Sequence, residues 1–252
     1  MSENLSQRVY ISFLVFACFF GLLLATLPAF FRLSVQEDFQ WRKPLVGSVF
    51  GLICFLGVIA VFFPSRCSTV FRDGEAEGRN HVAPANGETS LHKKSAILGL
   101  KVTHGHHPDC EGFAAHEFRF GRKTFCTACM GLLLGALAAL LGVAAYFFLG
   151  WNLGENVSLL LVSGALGVGL GLLHYMFFDV QRRLVRLLLN AFFVFGTFLV
   201  LASTDAVANS LILDLFVVFL SILWLFTRIL LSKRIHSKIC QACSSKCEVY
   251  KR

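Results

Sequence analysis

Apolar residues along this chain are concentrated in six runs of about 20 residues, separated by shorter polar segments. A helix needs a run of that length to cross roughly 30 Å of hydrocarbon. The pattern therefore predicts an all-α integral membrane protein, a bundle of six transmembrane helices. The predicted spans are Val9–Phe31, Leu45–Phe63, Met130–Leu149, Val157–Phe178, Leu184–Ser203 and Leu211–Leu231.

The first apolar run is interpreted as a retained helix rather than a secretory signal. It is longer than the usual apolar core of a signal peptide, and no small-x-small cleavage site follows it. Residues 1–64 are therefore expected to form two N-terminal transmembrane helices. Residues 130–231 are expected to form a four-helix transmembrane bundle, whose short connections favour antiparallel neighbours.

Glycine spacing marks the helix faces that are expected to pack most closely. Small residues spaced by about one turn let two membrane helices approach, because no side chain separates their backbones. Such glycines occur in three of the predicted spans. They are Gly47 and Gly51, Gly131 and Gly135, and Gly164, Gly167 and Gly171.

The segment between the second and third spans is polar and changes character along its length. Residues 65–100 contain many Gly, Asn, Pro and Glu residues and are expected to be a flexible cytosolic linker. Order is expected to return near residues 95–102, a candidate short strand. After the last span, residues 232–252 form a basic cytosolic tail that contains three cysteines.

The distribution of basic residues predicts the orientation of the chain in the membrane. With both termini in the cytosol, the short inside segments carry 11 Lys and Arg residues, and the outside loops carry 3, namely Arg32, Arg42 and Lys43. Lys and Arg accumulate on the cytosolic side of membrane proteins. We therefore expect a multi-pass plasma-membrane protein whose N- and C-termini are cytoplasmic.

Composition agrees with a membrane protein and argues against one class of partner. Hydrophobic residues make up 56% of the 252 residues and charged residues 15%, whereas soluble domains carry about 25% charged residues. The net charge of +8 comes from basic residues that flank apolar runs. The lipid bilayer is therefore the expected partner, and no nucleic acid is expected.

Residues 101–131 hold four of the eight histidines and three of the nine cysteines. Within this stretch, His107-x-x-Cys110 and Cys126-x-x-Cys129 are separated by 15 residues. Pairs of two-residue spacers form knuckles whose four ligands close a tetrahedron around zinc. Residues 118–125, between the pairs, are predicted to form a small hairpin with a glycine-containing turn. The sequence thus predicts a zinc-knuckle-like cytosolic insert with zinc as its cofactor.

Three further histidines, His104, His106 and His116, are alternative ligands in the same stretch. A structural zinc ion needs four protein ligands, so surplus histidines leave room for an open position that binds water or substrate. In the alternative without metal, Cys126 and Cys129 are thiols at the membrane interface and the histidines belong to a polar loop. Disulfides are not expected in the cytosol.

A longer pattern runs from this stretch into the later spans. It combines a cysteine, an Arg-Phe segment, a Cys-x-x-Cys-x-Gly sequence that opens a membrane helix, and then Asp, Gln, Arg, Asn and Gly. The residues are Cys110, Arg119, Phe120, Cys126, Cys129, Gly131, Gly135, Asp179, Gln181, Arg186, Asn190 and Gly196. Over residues 104–196 the chain resembles an uncharacterised bacterial and archaeal integral-membrane family, although Ala128 and Glu111 stand where that family has Arg and His. The resemblance implies a shared architecture and no established activity.

A second group of polar residues flanks the connection between the fourth and fifth spans. It comprises His174, Tyr175, Asp179, Gln181, Arg182, Arg183, Arg186 and Asn190. Arg182 and Arg183 are typical of a cytosolic anchor, whereas His174 and Asn190 lie in apolar runs and require polar partners or water. This group is a candidate floor beneath the metal insert. Asp205 and Asp214 lie toward the opposite side, where Asp214 is expected to reach the membrane interface.

The tail contains a second possible metal cluster. Its ligands would be His236, Cys240, Cys243 and Cys247, a set of three thiolates and one imidazole. In the alternative, these cysteines belong to an unstructured tail and are acylated near the membrane.

Three functions agree with this pattern. The first is a membrane protein with a structural or regulatory zinc site in the cytosol. The second is a membrane-embedded, metal-dependent enzyme acting on an anionic substrate at the cytosolic face. In it, His116 or His106 serves as general base, and Asp179 or Arg186 handles the substrate. The third, a transporter, is least favoured because neither inverted repeats nor paired broken helices are evident.

Overall fold

The computed structural model describes residues 2–31, 40–62, 116–120, 123–177 and 182–242. Within them the chain forms six α-helices and one two-stranded hairpin. The helices are α1 (Ser2–Phe31), α2 (Arg42–Phe62), α3 (Thr127–Val143), α4 (Val157–Leu173), α5 (Arg183–Ala208) and α6 (Leu211–Ala242). The strands are β1 (Glu117–Phe120) and β2 (Lys123–Cys126). All six helices are long and apolar enough to cross a membrane, so the prediction of six spans is confirmed.

Large apolar side chains cover the outer surface of the helices. Leu141 of α3 is 74% exposed and Ile212 of α6 is 77% exposed, and Phe16 and Phe219 are similarly uncovered. A water-soluble monomer rarely exposes apolar patches of this extent. In a bilayer the same side chains contact lipid tails, and the exposure requires no further explanation.

Helix α5 is the centre of the bundle. Its most extensive contacts are with α4 and α3, and it also packs against α1 and α6. The glycines predicted to mark close faces on α3 and α4 all face α5. A Cβ atom added to Gly164 would lie 2.8 Å from the Gly196 carbonyl oxygen, and one added to Gly167 would lie 2.7 Å from the Phe192 carbonyl oxygen. The glycine prediction is therefore confirmed at this interface, where backbone meets backbone.

Helix α2 packs against α3 through the other predicted glycine pair. A Cβ atom on Gly47 would lie 2.6 Å from the Cβ atom of Phe147, and one on Gly51 would lie 3.6 Å from Val143. Phe147 belongs to a π-helical turn, Ala144–Phe148, that continues α3. A short 3₁₀ turn, Gly154–Asn156, then leads into α4.

The predicted hairpin is present, and it leads directly into α3. Strands β1 and β2 are antiparallel, with Phe118 opposite Phe125 and Glu117 opposite Cys126. Helix α3 begins at Thr127, three residues before the predicted start at Met130. Cys129 therefore lies in the first helical turn rather than ahead of it. The rest of the predicted insert, the linker 65–100 and the candidate strand 95–102 lie outside the described residues.

Several helix ends differ from the predicted spans, and those of α6 and α2 are the most informative. Helix α6 continues to Ala242, eleven residues beyond the predicted end at Leu231. The reason is periodic: Leu231, Ile235 and Ile239 continue an apolar stripe at four-residue spacing, and no Gly or Pro interrupts it. Helix α2 begins at Arg42 rather than Leu45, because Arg42 is buried among carboxylates instead of extending into a loop.

Candidate functional site

Four of the eight polar residues predicted as a floor lie together at one end of the bundle, here called the hairpin end; they are His174, Tyr175, Arg186 and Asn190. The hairpin, the first turn of α3, the end of α4 and the beginning of α5 meet there. Its polar centre is called the Arg228 cluster and consists of His116, His174, Tyr175, Arg186, Asn190 and Arg228. The side chains of His116, His174, Arg186, Asn190 and Arg228 are buried.

Two of the residues proposed for catalysis are in contact. His116 precedes β1, and Arg186 lies in the first turn of α5. Nη1 of Arg186 contacts both ring nitrogens of His116 and lies 2.5 Å from Nε2. The contact spans 70 residues of sequence, and it attaches the base of the hairpin to α5. The other two candidates, His106 and Asp179, lie outside the described residues, as does Gln181.

Asn190 joins three helices at this end. Its Oδ1 atom accepts hydrogen bonds from Nε of Arg228 at 3.1 Å, from Nη2 of Arg228 at 2.5 Å and from the Tyr175 hydroxyl at 3.1 Å. Its Nδ2 atom donates to the Arg186 carbonyl at 2.7 Å. The prediction that Asn190 needs a polar partner within the membrane is met by these groups on α5, α6 and the turn after α4.

Arg228 is the member of the cluster that the sequence interpretation missed. In the orientation count it was one of the seven basic residues assigned to the last cytosolic segment, but it lies inside α6 and is 5% exposed. Its partners are the neutral side chains of Asn190 and Tyr175, and its guanidinium lies 5.5 Å from the centre of the Tyr175 ring. Among the described residues no carboxylate lies within 4.0 Å of it. A buried charge with only neutral partners is costly, which favours an anionic partner.

His174 adds an uncharged imidazole to the same cluster. It lies just beyond the apolar segment 154–173, and burial lowers its pKa to about 4. The hydrogen bond of Nδ1 with the Leu170 carbonyl opposes this shift, and the positive charges of Arg228 and Arg186 add to it. Nε2 is buried and has no hydrogen-bond partner among the described residues. The ring is therefore neutral at physiological pH, with one polar nitrogen available.

The first turn of α3 brings further donors to this end. Thr127 is fully buried, and its hydroxyl has no hydrogen-bond partner within the described ranges. The turn is held against α5, since a Cβ atom on Gly131 would lie 2.8 Å from the Cβ atom of Asn190. The first backbone N–H groups of a helix lack intrahelical acceptors and carry partial positive charge. The environment is therefore rich in donors and positive charge.

The predicted zinc ligands are only partly described. Cys126 and Cys129 are half-buried thiols at the start of α3, whereas His104, His106, His107 and Cys110 lie outside the described residues. Among the residues that the structure describes, no three His, Cys, Asp or Glu side chains converge on a point that would hold a metal. His116, an alternative ligand, contacts Arg186 instead of completing a set with the two thiols. Zinc therefore stays a prediction.

The second predicted metal cluster is divided by the end of α6. Positions 236 and 240 fall on the helix, one turn apart, whereas the alternative to the metal cluster had placed them in an unstructured tail. Cys243 and Cys247 lie outside the described residues. Arg182 and Arg183, interpreted as a membrane anchor, are both exposed.

The opposite end of the bundle, called the far end, holds a polar group that the sequence did not predict. We call it the Arg42 cluster, and it consists of Arg42, Lys43, Tyr146, Asp205, Asn209 and Asp214. Asp214 was expected at the membrane interface and Arg42 in a polar loop, but both are buried and joined. A signal was present in the sequence, because charged residues within or beside apolar spans require partners. The sequence did not show which of these residues pair, because Arg42 and Asp214 are 172 positions apart.

No protein-family model, curated protein or solved structure matches this chain. The resemblance to an uncharacterised integral-membrane family therefore stays a prediction. Three residues of its pattern lie on α5. Arg186 and Asn190 belong to the Arg228 cluster, and Gly196 lies against Gly164 of α4.

Proposed function

We propose that this chain is a multi-pass membrane protein that binds a small anionic ligand at the hairpin end, on the cytosolic side of the plasma membrane. The observation that carries the proposal is the burial of Arg228, whose hydrogen-bond partners among the described residues are all neutral. Asn190 and Tyr175 orient the guanidinium, but they leave its charge uncompensated. A carboxylate or phosphate group on a ligand compensates that charge and matches the planar donor geometry of arginine.

The surroundings of Arg228 support an anion over a cation. Arg186 is also buried, the His174 ring is neutral, and the α3 N-terminus supplies partial positive charge. The unsatisfied Nε2 atom of His174 and hydroxyl of Thr127 are neutral groups that hydrogen-bond to ligand oxygens. His116 is then placed to exchange a proton with a ligand held at Arg186. An enzyme that acts on a bound anionic substrate, the second function proposed from the sequence, would use this same binding site.

A second function is compatible with the first, namely a zinc site in the insert. Its support is the position of Cys126 and Cys129, three residues apart across the β2–α3 junction, where N–H groups stabilise thiolates. His107 and Cys110 supply the other two ligands in this proposal, with His104 and His106 as alternatives. Bound zinc would hold its four ligands, and with them the two ends of the predicted insert, in one fixed arrangement.

The anion proposal is tested by ligand-dependent stability of the full-length protein. Inorganic phosphate and acetate are titrated into detergent-solubilised protein while thermal unfolding is recorded. A ligand that binds only the folded state at 100 times its Kd stabilises by about 2.7 kcal/mol. We expect stabilisation of the wild type and of the control Arg182→Gln, whose side chain is exposed at the same end, but not of Arg228→Gln.

The source of the anion is resolved by a second arm of that experiment. The same proteins are placed in nanodiscs of phosphatidylcholine, with and without phosphatidic acid. Stabilisation by phosphatidic acid but not by soluble anions identifies a lipid headgroup as the ligand. A wild type that responds to neither source, or an Arg228→Gln variant that responds as the wild type does, contradicts the proposal.

Zinc is tested separately by metal analysis of protein purified without affinity-tag histidines. We expect zinc in the wild type and its loss in the double variant Cys126→Ser with Cys129→Ser. Protein without metal in both cases removes the zinc site and leaves the anion proposal unaffected. Orientation is tested in intact cells with a membrane-impermeant thiol reagent, which is expected not to label Cys240.

A further inference from the structure

The Arg42 cluster connects four helices at the far end. Nη1 of Arg42, at the start of α2, lies 2.5 Å from Oδ1 of Asp205 on α5 and 2.5 Å from Oδ2 of Asp214 on α6. Nη2 of Arg42 donates to Oδ1 of Asn209 at 3.1 Å. The hydroxyl of Tyr146, in the π-helical turn of α3, donates to Oδ2 of Asp205 at 2.6 Å.

The buried part of this cluster holds more negative than positive charge. Arg42 is 4% exposed and both aspartates are 0% exposed, so two carboxylates share one buried cation. Lys43 is the nearest other cation, but its side chain is 40% exposed and lies 3.8 Å from Oδ2 of Asp205. An uncompensated buried carboxylate is costly, and the usual way to remove that cost is protonation.

Two carboxylate oxygens in this cluster lack a hydrogen-bond donor within the described part of the chain. Oδ1 of Asp214 and Oδ1 of Asp205 are both buried without a hydrogen bond among the described residues. The Arg42 contact with Oδ1 of Asp205 is an ion pair without hydrogen-bond geometry. Oδ1 of Asp205 and Oδ2 of Asp214 both contact Nη1 of Arg42, and the two carboxyl side chains are within hydrogen-bonding reach of each other. A proton on either carboxyl group would supply the O–H donor that this pair of acceptors lacks.

A metal ion does not fit the same place. Nη1 of Arg42 already lies between the carboxylates, and its charge repels a second cation. Across the described ranges no set of three ligating side chains converges here or elsewhere. A proton fits between the carboxyl groups, because a proton does not need a coordination sphere of several ligands.

We propose that Asp205 and Asp214 form a proton-binding site that holds one proton between the two carboxyl groups. The charged and polar groups that face the pair are Arg42 and Lys43 from α2, Tyr146 from α3 and Asn209 from the α5–α6 turn. From α1, the described contact is the Ala25 carbonyl, which accepts a hydrogen bond from Thr204. Lys43, partly exposed, marks the side from which the proton exchanges with water.

Proton binding at this site changes how the far end is held together. With the proton bound, Arg42 faces one carboxylate and one carboxylic acid, and the buried charge is balanced. Without it, both carboxylates pull on Arg42 and Lys43. The occupancy of the site therefore sets the strength with which the start of α2 is attached to the α5–α6 turn. This inference is independent of the anion site, which lies about 20 Å away along α5.

Infrared spectroscopy of the full-length protein tests the proposal. At neutral pH we expect one protonated carboxylic acid per chain, visible as its carbonyl stretching band. The band is expected to disappear in Asp205→Asn and in Asp214→Asn, because the remaining carboxylate then pairs with Arg42 alone. It is expected to persist in Glu155→Gln, which removes an exposed carboxylate elsewhere in the chain. Transfer to D₂O should shift the band, since the site exchanges with water.

Three results overturn the inference, and none of them depends on the folding of an Asn variant. Wild-type protein without the band at neutral pH has no shared proton. A wild-type band that keeps its frequency in Tyr146→Phe belongs to another carboxyl group, because that substitution removes the hydrogen bond to Asp205. A band that is present but insensitive to D₂O excludes exchange with water and removes the site as proposed.

Discussion

At the hairpin end of α5, a buried arginine is held by the neutral side chains of Asn190 and Tyr175, whereas at the far end Arg42 is held by two aspartates. The two ends use the same helix and the same type of cation with opposite local balances. Surplus positive charge at Arg228 favours an anion, and surplus negative charge at Asp205 and Asp214 favours a proton. In both of our proposals, the local charge balance around the arginine, rather than the arginine itself, determines what each end binds.

The largest expected effect comes from breaking the far end with Arg42→Met. This leaves two carboxylates buried without their cation, and removing one partner of a buried ion pair costs about 3–5 kcal/mol. Chemical or thermal unfolding in detergent measures the loss. The matched control is Lys43→Gln, next in sequence and 40% exposed, which should cost under about 1 kcal/mol. Similar losses in both variants would contradict the distinction between the buried cation and the peripheral one.

Unfolding measurements over a pH series test whether His174 is buried and neutral at the hairpin end. Because its pKa in the folded state is lowered to about 4, the unfolded chain takes up the proton first as pH falls. Stability is therefore full above the ordinary value of 6.5 and declines between 6.5 and about 4. The linkage corresponds to about 3 kcal/mol at most. His174→Gln cannot titrate, so the free energy of unfolding of the wild type minus that of the variant should fall by up to about 3 kcal/mol as the pH is lowered from 6.5 to about 4.

The comparison also requires α5 to remain seated between α3 and α4. Gly164→Leu places a side chain against the Gly196 carbonyl oxygen and Leu199, and overpacking of this kind costs about 1–3 kcal/mol. The control is Gly57→Leu in α2, where an added Cβ atom meets nothing within 4 Å. Unfolding midpoints of the two variants give the difference. Equal midpoints would show that the α4–α5 contact is not close.

The smallest effect is expected from Arg228→Met, the counterpart of the Arg42 substitution. It removes a buried charge that had no carboxylate partner, so the avoided desolvation offsets the lost hydrogen bonds to Asn190 and Tyr175. We expect a change of about 1 kcal/mol or less in the absence of ligand. A loss as large as that of Arg42→Met would mean that Arg228 has a strong intramolecular partner and would weaken the anion proposal.

Much of the fold was predictable because its causes are local. Each span is a run of apolar residues, and the glycine spacing identified the faces on which α3 and α4 meet α5. The hairpin was also predictable, because its two strands and the glycine-containing turn between them lie within one short segment. Bilayer thickness and backbone packing act on neighbouring residues, so one sequence is sufficient to predict them.

The two polar clusters were less predictable because their contacts join distant parts of the chain. The grouping of Arg186 and Asn190 near the hairpin was predicted, but Arg228 was assigned to the tail because it lies near the end of an apolar run. At the far end, Asp205 and Asp214 are brought together by the α5–α6 turn, where Asn209 adopts a left-handed conformation. The placement of Arg42 between them depends on how α2 packs, which no local pattern specifies.

The π-helical turn at Ala144–Phe148 has a consequence for how the far end tolerates change in length. Its Leu149 N–H bonds to the Ala144 carbonyl five residues back, which amounts to one extra residue wound into α3. Removing a single residue there would restore the ordinary winding and displace the residues of the turn itself relative to α2 and α5. Tyr146 would leave Asp205, and Phe147 would leave Gly47. The helix would still span the bilayer, yet its last turn would present the wrong side chains to its neighbours.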